Sequence, residues 1–127
     1  MKLLASLALL LSFNVHGEMP IDHRATDFFG ALNMSFDQKF RVNKLVSSWS
    51  DRNIAIENER KYHLKDNCFD LAGGEIILVL QIEETGMVSE VYSSKQNMKA
   101  SCFTNTYKGL LLPKPPVSPF YHLWRML

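Results

Sequence analysis

Few side chains in this sequence stand in a pattern that does chemistry. Two cysteines, Cys68 and Cys102, could serve as a disulfide or as a redox or nucleophilic thiol. A thiol role usually comes with CxxC spacing or a local cysteine signature, and neither occurs. His23, His63 and His122 are far apart, with no HExxH and no i, i+4 pair, so no metal site is expected. The serines lack G-x-S-x-G. Glu83 and Glu84 are adjacent, so on a strand end they diverge and suit a solvated turn better than a paired-carboxylate site. Gly73-Gly74 has no phosphate-loop context. The reading is therefore no enzyme and no cofactor, which leaves recognition as the remaining chemistry.

Composition narrows the partner. The 127 residues hold 14 Lys and Arg against 13 Asp and Glu, a formal charge of +1. That balance argues against nucleic acid, which calls for a basic footprint. An apolar fraction of 46% with 21% charged residues is that of one globular domain.

The chain opens with Met1-Lys2, an apolar run Leu3–Phe13, and Val15-His16-Gly17. This is the pattern of a secretory signal peptide over residues 1–17, too short to be a comfortable membrane span. No later run is more apolar, so no stable membrane anchor is expected. Export places Cys68 and Cys102 in an oxidising compartment, where an even pair reads as a disulfide. Closing a loop of roughly 35 residues would stabilise by about 3–4 kcal/mol in the chain-entropy account.

The elements that must position any binding surface follow from periodicity. Residues 18–32 show mixed polarity and read as a flexible arm. A domain over 33–127 then starts with Ser35-x-x-Gln38, a capping box that predicts a helix start. Val42, Leu45, Val46 and Trp49 fall on one face of that helix. In Asn53–Leu64 the apolar residues Ile54, Ile56, Tyr62 and Leu64 sit at even positions, which suggests an exposed edge strand. Glu75–Ile82 is the strongest strand signal. Glu83-Glu84-Thr85-Gly86 forms a turn and Met87–Ser93 a second strand, with Val88, Glu90 and Tyr92 on one side. Asn97 caps a helix from Met98 to about Leu111, ended by Pro113-Lys114-Pro115-Pro116. Tyr121, Leu123, Trp124 and Leu127 suit either a last helical turn or a docked strand. The expected fold class is α+β, a small antiparallel sheet of two to three strands packed against helices.

The second half also carries a family pattern. A strand, a turn with Gly86, a strand and a helix bearing Cys102 lead to Leu112-Pro113-Lys114-Pro115-Pro116. Val117–Phe120 fill four places, Tyr121 follows, and Arg125 lies four beyond it. This resembles the C-terminal domain of TolA, from the Tol–Pal envelope system, and more distantly that of TonB. The likeness spans roughly Asn33 to Arg125 and is specific over Glu75–Arg125. Relative to the family, Cys68 falls several residues early, and the closing strand is expected to be shortened or missing. Either Asn53–Leu64 then fills the sheet or an edge stands open.

The resemblance implies a protein-binding adaptor of the Gram-negative periplasm, without the family's anchor and helical stalk. It would recognise partner segments by edge-strand addition. The implied partners are a Tol–Pal-like envelope protein, a phage coat segment or a colicin segment, and an open edge would permit a homodimer. Pro113, Lys114, Pro115, Pro116, Tyr121 and Trp124 are the candidate binding residues. The competing reading packs Phe120, Tyr121 and Trp124 on the sheet and leaves Lys114 solvated. A second functional class is an accessory subunit of a pilus, secretion or conjugation assembly.

Overall fold

Ile76-Ile77-Leu78-Val79-Leu80-Gln81-Ile82 is almost wholly β-branched or leucine, the composition of a strand covered on both faces. In the computed structural model, which describes residues 24–64 and 68–126, it is the central strand β1 (Ile76–Ile82). β2 (Val88–Ser93) and β3 (Phe120–Met126) flank it antiparallel, in the order β2-β1-β3. Three helices complete the domain: α1 (Phe28–Arg41), α2 (Asn43–Leu64) and α3 (Met98–Tyr107). The α+β expectation holds.

The two faces of β1 bury different partners. On the first face, Ile76, Leu78, Leu80 and Ile82 meet Val88, Phe120 and Met126 from the other strands. Val46 and Trp49 of α2, Cys68, and Ala100, Phe103 and Tyr107 of α3 close over them. On the second face, Val79 and Tyr121 pack against Ala31 of α1. The expected Cys68–Cys102 disulfide is present and ties the segment after α2 to α3.

Several local expectations need correction. The first helix starts at Phe28, where the Asp27 carboxylate accepts from the Gly30 N–H at 2.8 Å. Ser35 lies inside that helix, its hydroxyl turned back to the Leu32 carbonyl at 2.8 Å. A short acceptor side chain marks a helix start only where the chain is still extended, and Asp27 meets that condition first. Residues 24–32, read as a flexible arm, are thus docked or helical. The helix expected through Trp49 breaks at Val42 and restarts at Asn43. Val46 and Trp49 are buried, while Leu45 is 55% exposed.

Asn53–Leu64 is not a strand but the second half of α2. Glu, Arg and Lys supply strong helix propensity there, and no Gly or Pro interrupts them. The third place in the sheet belongs to β3, the segment read as a helical turn or docked strand. The C-terminal segment expected to leave a strand shortened or missing forms one instead: Phe120–Met126 pairs with β1 along its whole length, from Ile76↔Met126 to Ile82↔Phe120.

β2 does not alternate as its sequence suggests. A bulge lets Ile82 face Val88 while Gln81 faces Glu90. The extra residue puts Val88 and Val91 against the first-face core and sends Tyr92 to the second face. Asn97 caps α3 as expected, accepting from the Ala100 N–H at 2.8 Å. That helix ends at Tyr107, well before Pro113, because Gly109 turns with φ +85° and the chain leaves to pair with β2. Residues 1–17, read as a signal peptide, lie outside the described residues, as do 18–23 with His23, and Leu127. No helix among the described residues is long and apolar enough to cross a membrane.

Candidate functional site

A sheet of this size has two free edges, and what they offer depends on backbone parity. The Ser94 N–H donates to the Ile77 carbonyl at 2.9 Å, which fixes the alternation along β1. Phe120, His122, Trp124 and Met126 of β3 then turn their amides inward. Tyr121, Leu123 and Arg125 turn theirs outward.

The first outward step of β3 is closed by a side chain. The Gln38 amide donates to the Pro119 carbonyl at 2.8 Å and accepts from the Tyr121 N–H at 2.9 Å. Those are the two bonds that a neighbouring strand would make. Beyond it, among the described residues, no group takes the outward amides of Leu123 and Arg125. A pocket of about 130 Å³ opens beside Leu123, lined by Ser35, Phe36 and Lys39 of α1, Val46 of α2 and Phe120–Leu123. Its outer rim is apolar and uncovered, with Phe36 53% and Phe40 87% exposed.

The β2 edge is sealed from the same end by backbone. Val88 exchanges hydrogen bonds with Gly109 and Leu110, each at 2.8 Å, and the Leu112 N–H donates to the Gly86 carbonyl at 2.9 Å. Gly86 has φ +99°, and a Cβ there would stand 2.1 Å from the Leu112 oxygen, so turn and seal both require glycine. Further along, Val91 and Ser93 face a polar groove of about 230 Å³ shared with Ser101, Thr104 and Asn105 of α3.

The residues singled out from sequence do not gather at one surface. The Pro113 carbonyl accepts from the Trp49 indole N–H at 2.9 Å, so it anchors α2. Pro115 and Pro116 are half-buried and Lys114 is exposed. Tyr121 is 1% exposed on the second face, while Trp124 is half-buried against the first-face core. Cys68 is buried and Cys102 half-buried in their disulfide. The His122 ring meets the Trp49 ring edge-on with centroids 4.9 Å apart, and the side chain of His63 is outside the described residues. Among the described residues, no three His, Cys, Asp or Glu side chains converge.

Sequence reasoning missed a polar cluster on the second face. Arg24 forks onto Glu83 through two bonds of 2.8 and 3.0 Å. The Glu83 carboxylate also accepts from the Ser89 hydroxyl and from the Gln81 amide, the latter at 3.0 Å. The Arg24 bond is the largest influence in holding the Glu83 carboxyl down to about 2, against a desolvation that would raise it. Glu83 is thus a fixed anion and not the solvated turn residue expected from its neighbour Glu84. The Tyr92 hydroxyl lies 2.8 Å from the Ala25 carbonyl and 3.0 Å from the Gln81 amide oxygen. Burial raises the hydroxyl pKa of both Tyr92 and Tyr121, keeping them neutral donors and acceptors.

Comparison of the chain with protein-family models, with curated proteins and with solved structures finds no match.

Proposed function

We propose that the domain is a protein-binding adaptor that takes an extended partner segment as an added strand along β3. The observation that carries this reading is the pair of outward amides at Leu123 and Arg125, with a mostly apolar pocket beside the first of them. Backbone bonds there would give affinity, and the pocket between Phe36 and Val46 would choose one alternate side chain. Lys39 on the rim favours an acidic neighbour to that side chain. Gln38 supports the same reading, because a side-chain amide already makes strand-like bonds at the first step of this edge.

The leader pattern at residues 1–17 and the likeness of Glu75–Arg125 to TolA C-terminal domains favour a Gram-negative periplasmic setting. Candidate partners are then Tol–Pal-like envelope proteins and phage coat or colicin segments. The role is binding rather than catalysis. The test is a titration of the isotope-labelled domain with such segments, read by NMR. Amide shifts led by Leu123 and Arg125 support it. Shifts confined to Val91 and Ser93 move the site to the other edge, and no shift with any segment removes the reading. Concentration-dependent broadening of Leu123 without peptide would identify a second copy as the added strand.

One observation favours a subunit of a pilus, secretion or conjugation assembly. Phe29, Phe36 and Phe40 repeat along the outer face of α1 and are 72%, 53% and 87% exposed. An aromatic stripe of this kind suits a standing protein contact.

A further inference from the structure

The second face of the sheet grips a short piece of the chain by both of its backbone groups. The Ala25 N–H donates to the Tyr121 hydroxyl at 3.0 Å, and the Tyr92 hydroxyl donates to the Ala25 carbonyl at 2.8 Å. One residue earlier, Arg24 places a planar two-pronged cation on the Glu83 carboxylate. The Ala25 methyl packs against the cluster of Ala31, Val79 and Tyr121 and lies close to α1 at Gly30, where an added Cβ would stand 3.8 Å from it, so the place it fills suits a small side chain. The cradle therefore reads three things: a forked cation, a free N–H and C=O on the next residue, and a small side chain on that residue. None of these depends on the segment belonging to this chain.

The strap also covers the polar groups beneath it. Tyr121 is 1% exposed and Gln81 3% with the strap in place, so its departure exchanges the Tyr121 and Tyr92 bonds to Ala25 for bonds to water and uncovers the Tyr92–Gln81 pair. The strap itself is lightly held on the outside: the Arg24 side chain is 44% exposed. The carboxylate prefers Arg to Lys, because only the guanidinium presents two parallel donors.

We propose that Glu83, Tyr92 and Tyr121 form a recognition site for an extended segment carrying an arginine followed by a small residue. Arg24–Ala25 fills it in cis, and a partner protein presenting the same pair enters by displacing this strap. The site lies on the second face, apart from the strand edges, and is independent of the strand-addition reading. Only Thr26 and Asp27 separate Ala25 from α1, so the strap rebinds from an effective concentration of about millimolar or higher. A short free peptide is thereby excluded from the intact protein, and a natural partner must add contacts beyond the two residues.

The test empties the cradle and offers it a peptide. The double variant Arg24→Glu/Ala25→Pro reverses the charge and removes the N–H that Tyr121 accepts. The probe is the acetylated, amidated peptide Asp-His-Arg-Ala-Thr-Asp, which copies residues 22–27. The variant is expected to bind it at least tenfold more tightly than the intact protein, with ring shifts at Tyr92 and Tyr121. A Lys-for-Arg peptide should bind several-fold more weakly, and a Glu-for-Arg peptide should not bind. Adding Glu83→Arg to an Arg24→Ala/Ala25→Pro background, where residue 24 carries no charge to refill the site, should transfer preference to the Glu peptide. If the double variant does not fold, Arg24→Ala carries the same comparison. Equal binding by variant and intact protein, or indifference to the peptide's arginine, overturns the proposal. Because Leu123 and Arg125 are untouched, the strand titration reads the other proposal separately.

Discussion

The two faces of β1 hold their coverings by different means. The first face is dry: Ile76, Leu78, Leu80 and Ile82 meet Trp49, Phe103, Tyr107, Phe120 and Met126, all nearly inaccessible to water. The second has a small apolar centre, Val79, Tyr121 and Ala31, beside a polar cluster built from Gln81, Glu83, Ser89 and Tyr92. Apolar burial is indifferent to direction, and it supplies most of the folding energy. Hydrogen bonds contribute less net energy but dictate which atoms meet. The first face thus supplies most of the energy that folds the domain, while the second decides where the segment at Arg24 lies.

The comparison breaks most severely at Trp49. Replacing it with Ala opens a cavity on the dry face and leaves the Pro113 carbonyl without its donor. A loss of about 3–5 kcal/mol is expected in urea unfolding, enough to consume most of a small domain's stability. A loss under about 1 kcal/mol would mean that α2 is not part of the core. Next is Cys68→Ser/Cys102→Ser, which frees a loop of 34 residues' separation on the same face. It should cost about 3 kcal/mol, measured by the same unfolding in non-reducing buffer.

On the wet face the effects are smaller and depend on pH. Glu83→Gln should cost about 1–2 kcal/mol at neutral pH, discounted because Arg24 is 44% exposed. The folded-state carboxyl is held at about 2 against an ordinary 4.5, so its contribution is complete above 4.5. It fades as pH falls toward about 2, where the carboxyl protonates in the fold as well. Wild type and variant should therefore converge in acid, and a constant gap down to pH 2 would show that Glu83 acts by shape alone. The gentlest probe is Lys108→Ala, which removes an exposed pair with Glu90 at 3.1 Å. A change within about 0.5 kcal/mol is expected, and a larger one would place the β2 edge among the structural elements of the fold.

Legibility followed the range of the interaction. β1, the turn at Gly86, β2 and the Asn97 cap each rest on a few adjacent residues, and the sequence announces them. The disulfide was legible because only two cysteines exist. β3 was ambiguous, since Phe120–Met126 has no strict alternation and owes its conformation to pairing with residues some forty positions earlier. The bulge that turns Tyr92 over leaves no composition signal. Gln38 has the spacing of half a capping box, yet its amide serves a strand 81 to 83 residues away. Arg24 and Glu83 are 59 positions apart, and nothing local links them. Nor does alternation join Ser89 to Tyr92, which it would put on opposite sides; only the bulge brings both to the face of Glu83.

Gln38 has a further consequence. A bare strand edge is a template on which copy after copy can stack, and the hazard grows with its unbroken length. The segments that build such stacks are about six residues long. Here Gln38 closes the start of one edge and Gly109–Leu112 the start of the other, leaving Leu123–Arg125 and Val91–Ser93. Among the described residues each remnant is three residues long, shorter than the roughly six-residue segments on which such stacks are built.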